Sequence, residues 1–366
     1  MILKLNEITD YLETLAPLSY QESYDNSGLQ VGNPGLEVKA ALLTVDVTEE
    51  VVEEALKSGC NLIIAHHPLL FSGIKSLTGK NHTERTVVKA VKNDIAVYAA
   101  HTNLDSVING VNAKICEKLN LKDCKVLQPL KGQLKKLVTF IPTKHAEKVR
   151  TAVFEAGAGQ IGNYDSSSFN AEGLGSFRGG ENTNPFTGQK GALHFEKEIR
   201  FETIFPQYIQ GQVIKALLNS HPYEEVAYDI YPLENQYSRA GMGMIGRCET
   251  PEVEEDFLRK LKKIFGPKTI KHTKLTGNLV KRVAVCGGSG PFLLKDAIAS
   301  GADFFVTADF KYHQYFDAEN RIVIADVGHY ESEQFTKELF YELLMKKFPT
   351  FAVRLSEVET NPVRYF

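Results

Sequence analysis

The chain has 366 residues, 43% of them hydrophobic and 24% charged, with a formal net charge of −3. That length supports two or more domains with cores of their own, and the scattered Lys and Arg form no massed basic face, so nucleic acid is not the expected partner. The amphipathic N-terminus MILKLNEITDYLETLAPLSY has interleaved acids and no signal-peptide core, and no apolar run is long enough for a membrane span.

Five cysteines, Cys60, Cys116, Cys124, Cys248 and Cys286, are odd in number, widely spaced and without a Cys-x-x-Cys pair. Reduced thiols in a cytoplasmic protein are expected.

In chain order, KAALLTVDV (39–47) is a β-rich run and TEEVVEEALKSG (48–59) carries apolar residues at helical spacing, ending on Gly59 as a helix C-cap does. NLIIAHH (61–67) is the next strand, which completes a βαβ unit and implies parallel strands. A helix over TERTVVKAVKN (83–93), a strand IAVYAAH (95–101) and a helix VNAKICEKLN (111–120) continue the α/β alternation. Asn81-His82-Thr83 matches a glycosylation sequon, which has no meaning without secretion.

From about 134 to 236 the composition changes. The strand KKLVTFIP, the helical TKHAEKVRTAVFEAG, a Gly-, Ser- and Asn-rich stretch, the strand-like ALHFEKEIRFETIFP, the helical QYIQGQVIKALLNSHP and the strand EEVAYDIYPLE follow one another. That order, β-α-β-β-α-β, predicts an inserted ferredoxin-like α+β domain over 129–237, between core halves 1–128 and 238–366. Two G-x-G-x-x-G matches, Gly157–Gly162 and Gly241–Gly246, lack a strand before and a helix after, so they are turn and strand-start glycines rather than a dinucleotide site.

The α/β grammar then returns in RVAVCGG (282–288), PFLLKDAIASG (291–301), DFFVTAD (303–309), RIVIADVGHY (321–330) and the helical ESEQFTKELFYELLMKKF (331–348). EALKSGCNLIIAHH aligns with DAIASGADFFVTAD, Gly59 falling on Gly301, and His101-Thr-Asn-Leu-Asp105 finds a counterpart in His329-Tyr-Glu-Ser-Glu333. The core is therefore expected to be a diverged duplication. Between strand and helix, Gly287, Gly288, Ser289 and Gly290 serve either as a tight turn or as an anion-binding loop.

His66 and His67 end a strand just before Pro68. Adjacent strand residues point to opposite faces, so both serve one centre only if the chain is already turning. Asp105 lies where a strand gives way to a loop, and His329 and Glu333, four apart, share one side of a helix. His82, His145, His194, His221 and His272 have no partner in register and are structural. Two histidines, an aspartate and a His-Glu pair form an N/O donor set that suits Zn, Mn, Fe, Ni or Co better than Mg or Ca. Five donors exceed what a closed tetrahedral site uses, which points to two divalent ions with open positions.

AHHPLLF (65–71), HTNLD (101–105), YDNSGLQVG (24–32), GGSG (287–290), TADFKYH (307–313) and GHYESE (328–333) together resemble the dinuclear-metal-centre family named after NGG-one interacting factor three, whose members are often called type 2 homologues of GTP cyclohydrolase I. The resemblance spans both halves of the chain. It implies that His66, His67, Asp105, His329 and Glu333 carry two metal ions, zinc foremost, with Asp105 and Glu333 bridging. It also implies a PII-like or CutA-like insert, and a toroidal homohexamer, a trimer of dimers, with the metals lining its cavity. By the same comparison His101 and His313 lie near the centre as substrate-facing or proton-shuttling groups, with Asp309 and Lys311 beside them. The expected function is metal-dependent hydrolysis of a nucleotide-like or phosphorylated small molecule, with metal-bound hydroxide as nucleophile. The alternative is a regulatory or metal-handling assembly whose insert senses a ligand.

Overall fold

A computed structural model describes residues 2–366 and shows a mixed α/β protein with several sheets. Its residues divide into two compact units, the chain up to Pro129 together with Arg239–Phe366, and Leu130–Ser238 between them.

The first unit holds a five-stranded and a six-stranded sheet. In the five-stranded one the order is Ala352–Leu355, Ala40–Thr44, Leu62–Ala65, Ala96–Ala99 and Gly28–Val31. The first four run parallel and Gly28–Val31 runs antiparallel. The apolar strand Leu62–Ala65 is fully buried, as a parallel strand covered on both faces must be. Period-two alternation divides its neighbours: Leu43, Ile64 and Tyr98 enter one cluster, while Leu42, Ile63 and Val97 meet Val51, Val52, Val87 and Ala90 of two helices.

Those helices begin and end where local chemistry dictates. Thr48 accepts the Val51 N–H to cap Glu49–Lys57, and Asn81 accepts the Glu84 N–H to cap His82–Lys92. The sequon is thus a helix start.

The six-stranded sheet has the order Lys271–His272, Val323–Asp326, Phe304–Ala308, Leu279–Ser289, Tyr237–Val253 and Lys122–Leu130, with its central three strands parallel. Val283, Phe304 and Val323 join Leu43, Ile64 and Tyr98 in one core that both sheets share. Gly241–Gly246 lies inside a strand, and Gly157–Gly162 is a turn after the helix Ala146–Glu155. Neither match opens a helix.

Several features depart from the expected elements, among them the strands Gly28–Val31 and Lys122–Leu130. The single helix expected over 331–348 is two, His329–Glu333 and Thr336–Lys347. The strand Ala352–Leu355 was not foreseen; it crosses back to pair with Ala40–Thr44, so the end of the chain completes the first sheet.

The second unit is a four-stranded antiparallel sheet in the order Tyr228–Leu233, Leu134–Pro142, Leu193–Pro206 and Ser168–Arg178. Helices Ala146–Glu155 and Gln210–Ser220 cover one face, where Val149, Val153, Val213 and Leu217 meet Leu137, Ile141, Phe201 and Phe205. Among the described residues, no helix is long and apolar enough to cross a membrane.

Candidate metal centre

The parallel strands deliver their chemistry at their carboxyl ends, where ligands bind in such sheets. Leu62–Ala65 stops one residue before His66, whose N–H reaches Thr44 O at 3.3 Å, and the His67 N–H reaches Val45 O at 2.9 Å. The chain is turning, so the adjacent rings lie 4.9 Å apart instead of on opposite faces. Ala96–Ala99 feeds His101 and the one-turn helix Thr102–Asp105, and Val323–Asp326 feeds Gly328, at φ 97°, and the helix His329–Glu333.

The five residues expected as ligands come together. His66 Nε2 is 3.7 Å from Asp105 Oδ1 and 3.4 Å from Glu333 Oε1. His67 Nε2 and His329 Nε2 approach Glu333 Oε2 at 3.0 and 3.2 Å. Three overlapping triads have donor atoms within 4.8 Å of one another: His66 with Asp105 and Glu333, His67 with His329 and Glu333, and His66 with His67 and His101. Glu333 belongs to two of them, and each of the adjacent histidines pairs with it in a different triad.

Each imidazole is held by its other nitrogen. The Nδ1–H of His66 donates to Ala100 O at 2.9 Å, that of His67 to Asp46 at 2.7 Å, that of His101 to Asp25 at 2.8 Å and that of His329 to Asp309 at 2.6 Å. A carbonyl or carboxylate can only accept here, so every Nδ1 keeps its proton and every Nε2 faces inward, able to offer a lone pair once its own proton is lost. Thr360 and Thr102 in turn fix Asp46 and Asp25. The sequence reading placed Asp309 beside the centre but missed Asp25 and Asp46; the signal for Asp46 was its position two residues past the Ala40–Thr44 strand, level with the histidines at the end of the next one.

Replacing Asp46 with asparagine keeps the shape but weakens the anchor of His67. The expected result is metal affinity lowered about 10- to 100-fold with the fold intact, read by competition with a chromophoric chelator; unchanged affinity would show that Asp46 does not orient a ligand.

Electrostatics sharpen the site. Burial opposes the Glu333 charge, yet His66, His329 and His67 around it hold its carboxyl well below the usual carboxylate range. Burial, with Glu333 nearby, pushes Asp105 up. Burial also works against the His67 and His329 imidazoliums, but their hydrogen-bonded carboxylates and Glu333 prevail and lift them to about 10 and about 11. Burial beside Asp105 and Glu333 keeps the Cys286 thiol protonated, so the available donors are nitrogen and oxygen.

The glycine loop is part of the wall. Gly288 has φ +60°, and a Cβ there would fall 2.2 Å from Glu333 Oε1. The Gly287 and Gly288 N–H groups donate to Asn112 and Ser332 at 3.0 and 2.9 Å, and the turn Pro291–Leu293 leads into the short helix Leu294–Ala299. Those two N–H groups are committed within the protein, and the close approach to Glu333 accounts for the glycine at 288. Gly288→Ala is expected to displace Glu333 and cut bound metal at least about tenfold; full metal content in the purified variant would contradict this.

His313 does not join the triads. It sits exposed on the turn Tyr312–Ala318, its ring against Tyr312 and Phe316. His101, expected only as a neighbouring group, shares a triad with His66 and His67.

Whether these groups suit a metal is decided by unsatisfied atoms. His66 Nε2, His67 Nε2, Asp105 Oδ1 and Glu333 Oε2 are buried without a hydrogen-bond partner, the short separations notwithstanding, because the atoms are not aligned as donor and acceptor. Four such atoms gathered in overlapping triads are costly unless something cationic satisfies them. The fold and site define an α/β protein with a buried His and carboxylate cluster able to hold metal ions.

A family model described as Duf34/NIF3 (NGG1p interacting factor 3) matches residues 3–362. The chain belongs to this family. It is 39% identical over 363 residues to a GTP cyclohydrolase 1 type 2 homolog of Halalkalibacterium halodurans, covering 98% of each chain. Identity to the Bacillus subtilis protein of the same name is 38% over 365 residues, again covering 98% of each chain. Among solved structures, a Bacillus cereus protein related to NIF3 superposes with a TM-score of 0.87 at 37% identity, over 100% of both chains.

Proposed function

We propose that the cluster is a dinuclear metal centre and that the protein is a metal-dependent hydrolase of a nucleotide-like or phosphorylated small molecule. The observation that carries this is the set of four buried, unpartnered donor atoms shared between two triads with Glu333 in common. His67, His329 and Glu333 would hold one ion, and His66, Asp105 and Glu333 the other. Zinc is the foremost candidate, with Mn, Fe, Ni and Co chemically compatible.

When bound, such ions supply Lewis acidity toward a water and toward a phosphoryl or carbonyl oxygen. The chain's own groups do the rest. Asp46, Asp25 and Asp309 fix the imidazoles, Glu333 balances their charge, and His101, 14% exposed at its side chain and anchored by Asp25, is placed beside His66 and His67 to transfer protons. His329 and Asp309, at 39% and 45% side-chain exposure, mark where a substrate enters.

The relatives called GTP cyclohydrolase 1 type 2 homolog suggest a nucleotide as the first substrate to try. The deciding experiment is a screen of nucleotides and phosphoesters with the metal-loaded protein. Metal-dependent turnover that His101→Ala reduces supports the reading; a fully loaded site with no turnover on any of them overturns it in favour of a regulatory or metal-handling role. We further propose that 129–237 is a ferredoxin-like insert in a duplicated core and that the chain assembles in the cytoplasm as a toroidal homohexamer. The β-α-β-β-α-β order and the 4-1-3-2 antiparallel sheet of the second unit support the first point, and family membership the second.

Proton linkage gives an independent test of the site. His67 and His329 have pKa values above the ordinary 6.5, so their ion pairs with carboxylates stabilise fully below pH 6.5 and are lost as pH rises through about 10 to 11. Metal needs neutral imidazole and therefore runs the other way. Binding at pH 7 is expected to release on the order of two protons per chain and to tighten as pH rises above 6.5. Calorimetry in buffers of different ionisation enthalpy reads that number; no proton release would contradict the assignment.

A further inference from the structure

A cavity of about 610 Å³ lies within the second unit and shares no residue with the metal cluster. Its volume is that of a small-molecule site. In the strand Leu193–Pro206, Phe201 and Phe205 face the helices, so Glu198 and Arg200 face the other way. Their direct partners on the edge strand, Gly173 and Ala171, and the next position on that face, Gly175, are small, which leaves a trough along the sheet.

Glu198 stands in that trough. It is 8% exposed, and Gly175 makes room for it, since a Cβ there would lie 2.0 Å from one carboxylate oxygen. The other oxygen accepts the Tyr223 hydroxyl at 2.8 Å. Among the described residues no cation pairs with Glu198; Lys197, next to it, faces the other side of the sheet, and of the two arginines that line the cavity, Arg178 and Arg200, the second turns to Glu202 at 2.9 Å. Burying a carboxylate without a counter-charge is costly.

Around it stand the rings of Phe140, Phe177, Phe186 and Tyr223, with Phe177 and Phe186 at 6.1 and 6.2 Å from Tyr223. The connection that carries Phe186 is tied down where the Asn184 N–H donates to Glu224 at 2.7 Å. Burial and the adjoining Glu198 push the Tyr223 hydroxyl up, so it remains a donor. Aromatic faces attract cations, and a buried carboxylate completes the recognition of an ammonium group.

We infer that this cavity binds an organic amine, its ammonium against Glu198 and its apolar body against the four rings. A neutral or anionic ligand of the same shape would leave Glu198 unpaired or repel it. The inference does not depend on what the metal centre does, and either can fail alone.

The test is calorimetric titration of the full chain with 2-phenylethylamine, 2-phenylethanol, choline and spermidine. 2-Phenylethylamine is expected to bind roughly tenfold or more tightly than 2-phenylethanol, and Glu198→Gln to erase that preference. Phe186→Ala is expected to weaken the amine while keeping its advantage over the alcohol, and it carries the test should Glu198→Gln not fold. Failure of every amine to bind, equal binding of amine and alcohol, or an undiminished preference in folded Glu198→Gln would overturn the inference.

Discussion

Replacing Glu333 with glutamine is expected to strip the protein of metal and of any metal-dependent turnover while leaving it folded. Glu333 is 2% exposed and sits in two of the three donor triads, so in the proposed dinuclear centre its loss would remove a ligand from both ions at once. Removing an orienting partner alone costs about 10- to 100-fold in affinity, and a shared ligand costs more, so a loss above about 100-fold is expected. Breaking a buried charge pair costs about 3–5 kcal/mol when the remaining charge is trapped. Here it is not trapped: His66, His67 and His329 can shed their protons once the carboxylate is gone, so the destabilisation should fall below that range. Metal analysis, thermal melting and turnover on the same preparation check the three parts. A folded Glu333→Gln protein with full metal content would remove the centre from its place in the mechanism.

The second large effect concerns stability. Metal that binds the folded chain and not the unfolded one stabilises it by about 4 kcal/mol at a thousandfold excess over Kd. For a cooperative core of this size each kcal/mol moves the midpoint by about 2–4 °C. Chelation is therefore expected to lower the Tm by roughly 8–15 °C. The cluster ties Leu62–Ala65 and Ala96–Ala99 of one sheet to Val323–Asp326 of the other, so the whole first unit should respond. The shift should vanish in Glu333→Gln; an equal shift in that variant would mean that the stabilising metal binds elsewhere.

Much of this was legible in the sequence because parallel α/β chemistry is written locally. Apolar runs such as NLIIA, Thr48 and Asn81 as caps, and Gly59 as a stop announce their elements within a few residues. The cluster was legible for the same reason, since His66-His67, Asp105 and the His329-Glu333 pair all follow strand ends. What escaped depends on contacts far apart in the chain. Asp25 reaches His101 across 76 positions, and Ala352–Leu355 pairs with a strand more than three hundred residues earlier. No local pattern marks the second, and for the first the motif YDNSGLQVG (24–32) holds Asp25 without showing which histidine it meets.

His313 is a case where a local motif did not predict placement in the cluster. Its place in TADFKYH suggested a catalytic group, but the turn Tyr312–Ala318 presents it to solvent against Phe316. The loop Gly287–Gly290 was ambiguous from sequence because glycines serve both turns and anion sites; the nearness of Glu333 to Gly288 shows what they make room for.

The most direct measurement is the metal content of the purified chain by plasma mass spectrometry after dialysis, wild type beside Glu333→Gln. A dinuclear centre requires about two equivalents of a divalent transition metal per wild-type chain and close to none in the variant. Wild-type protein that carries no metal and takes up none on reconstitution at pH 7.5, or a variant that retains both equivalents, would contradict it.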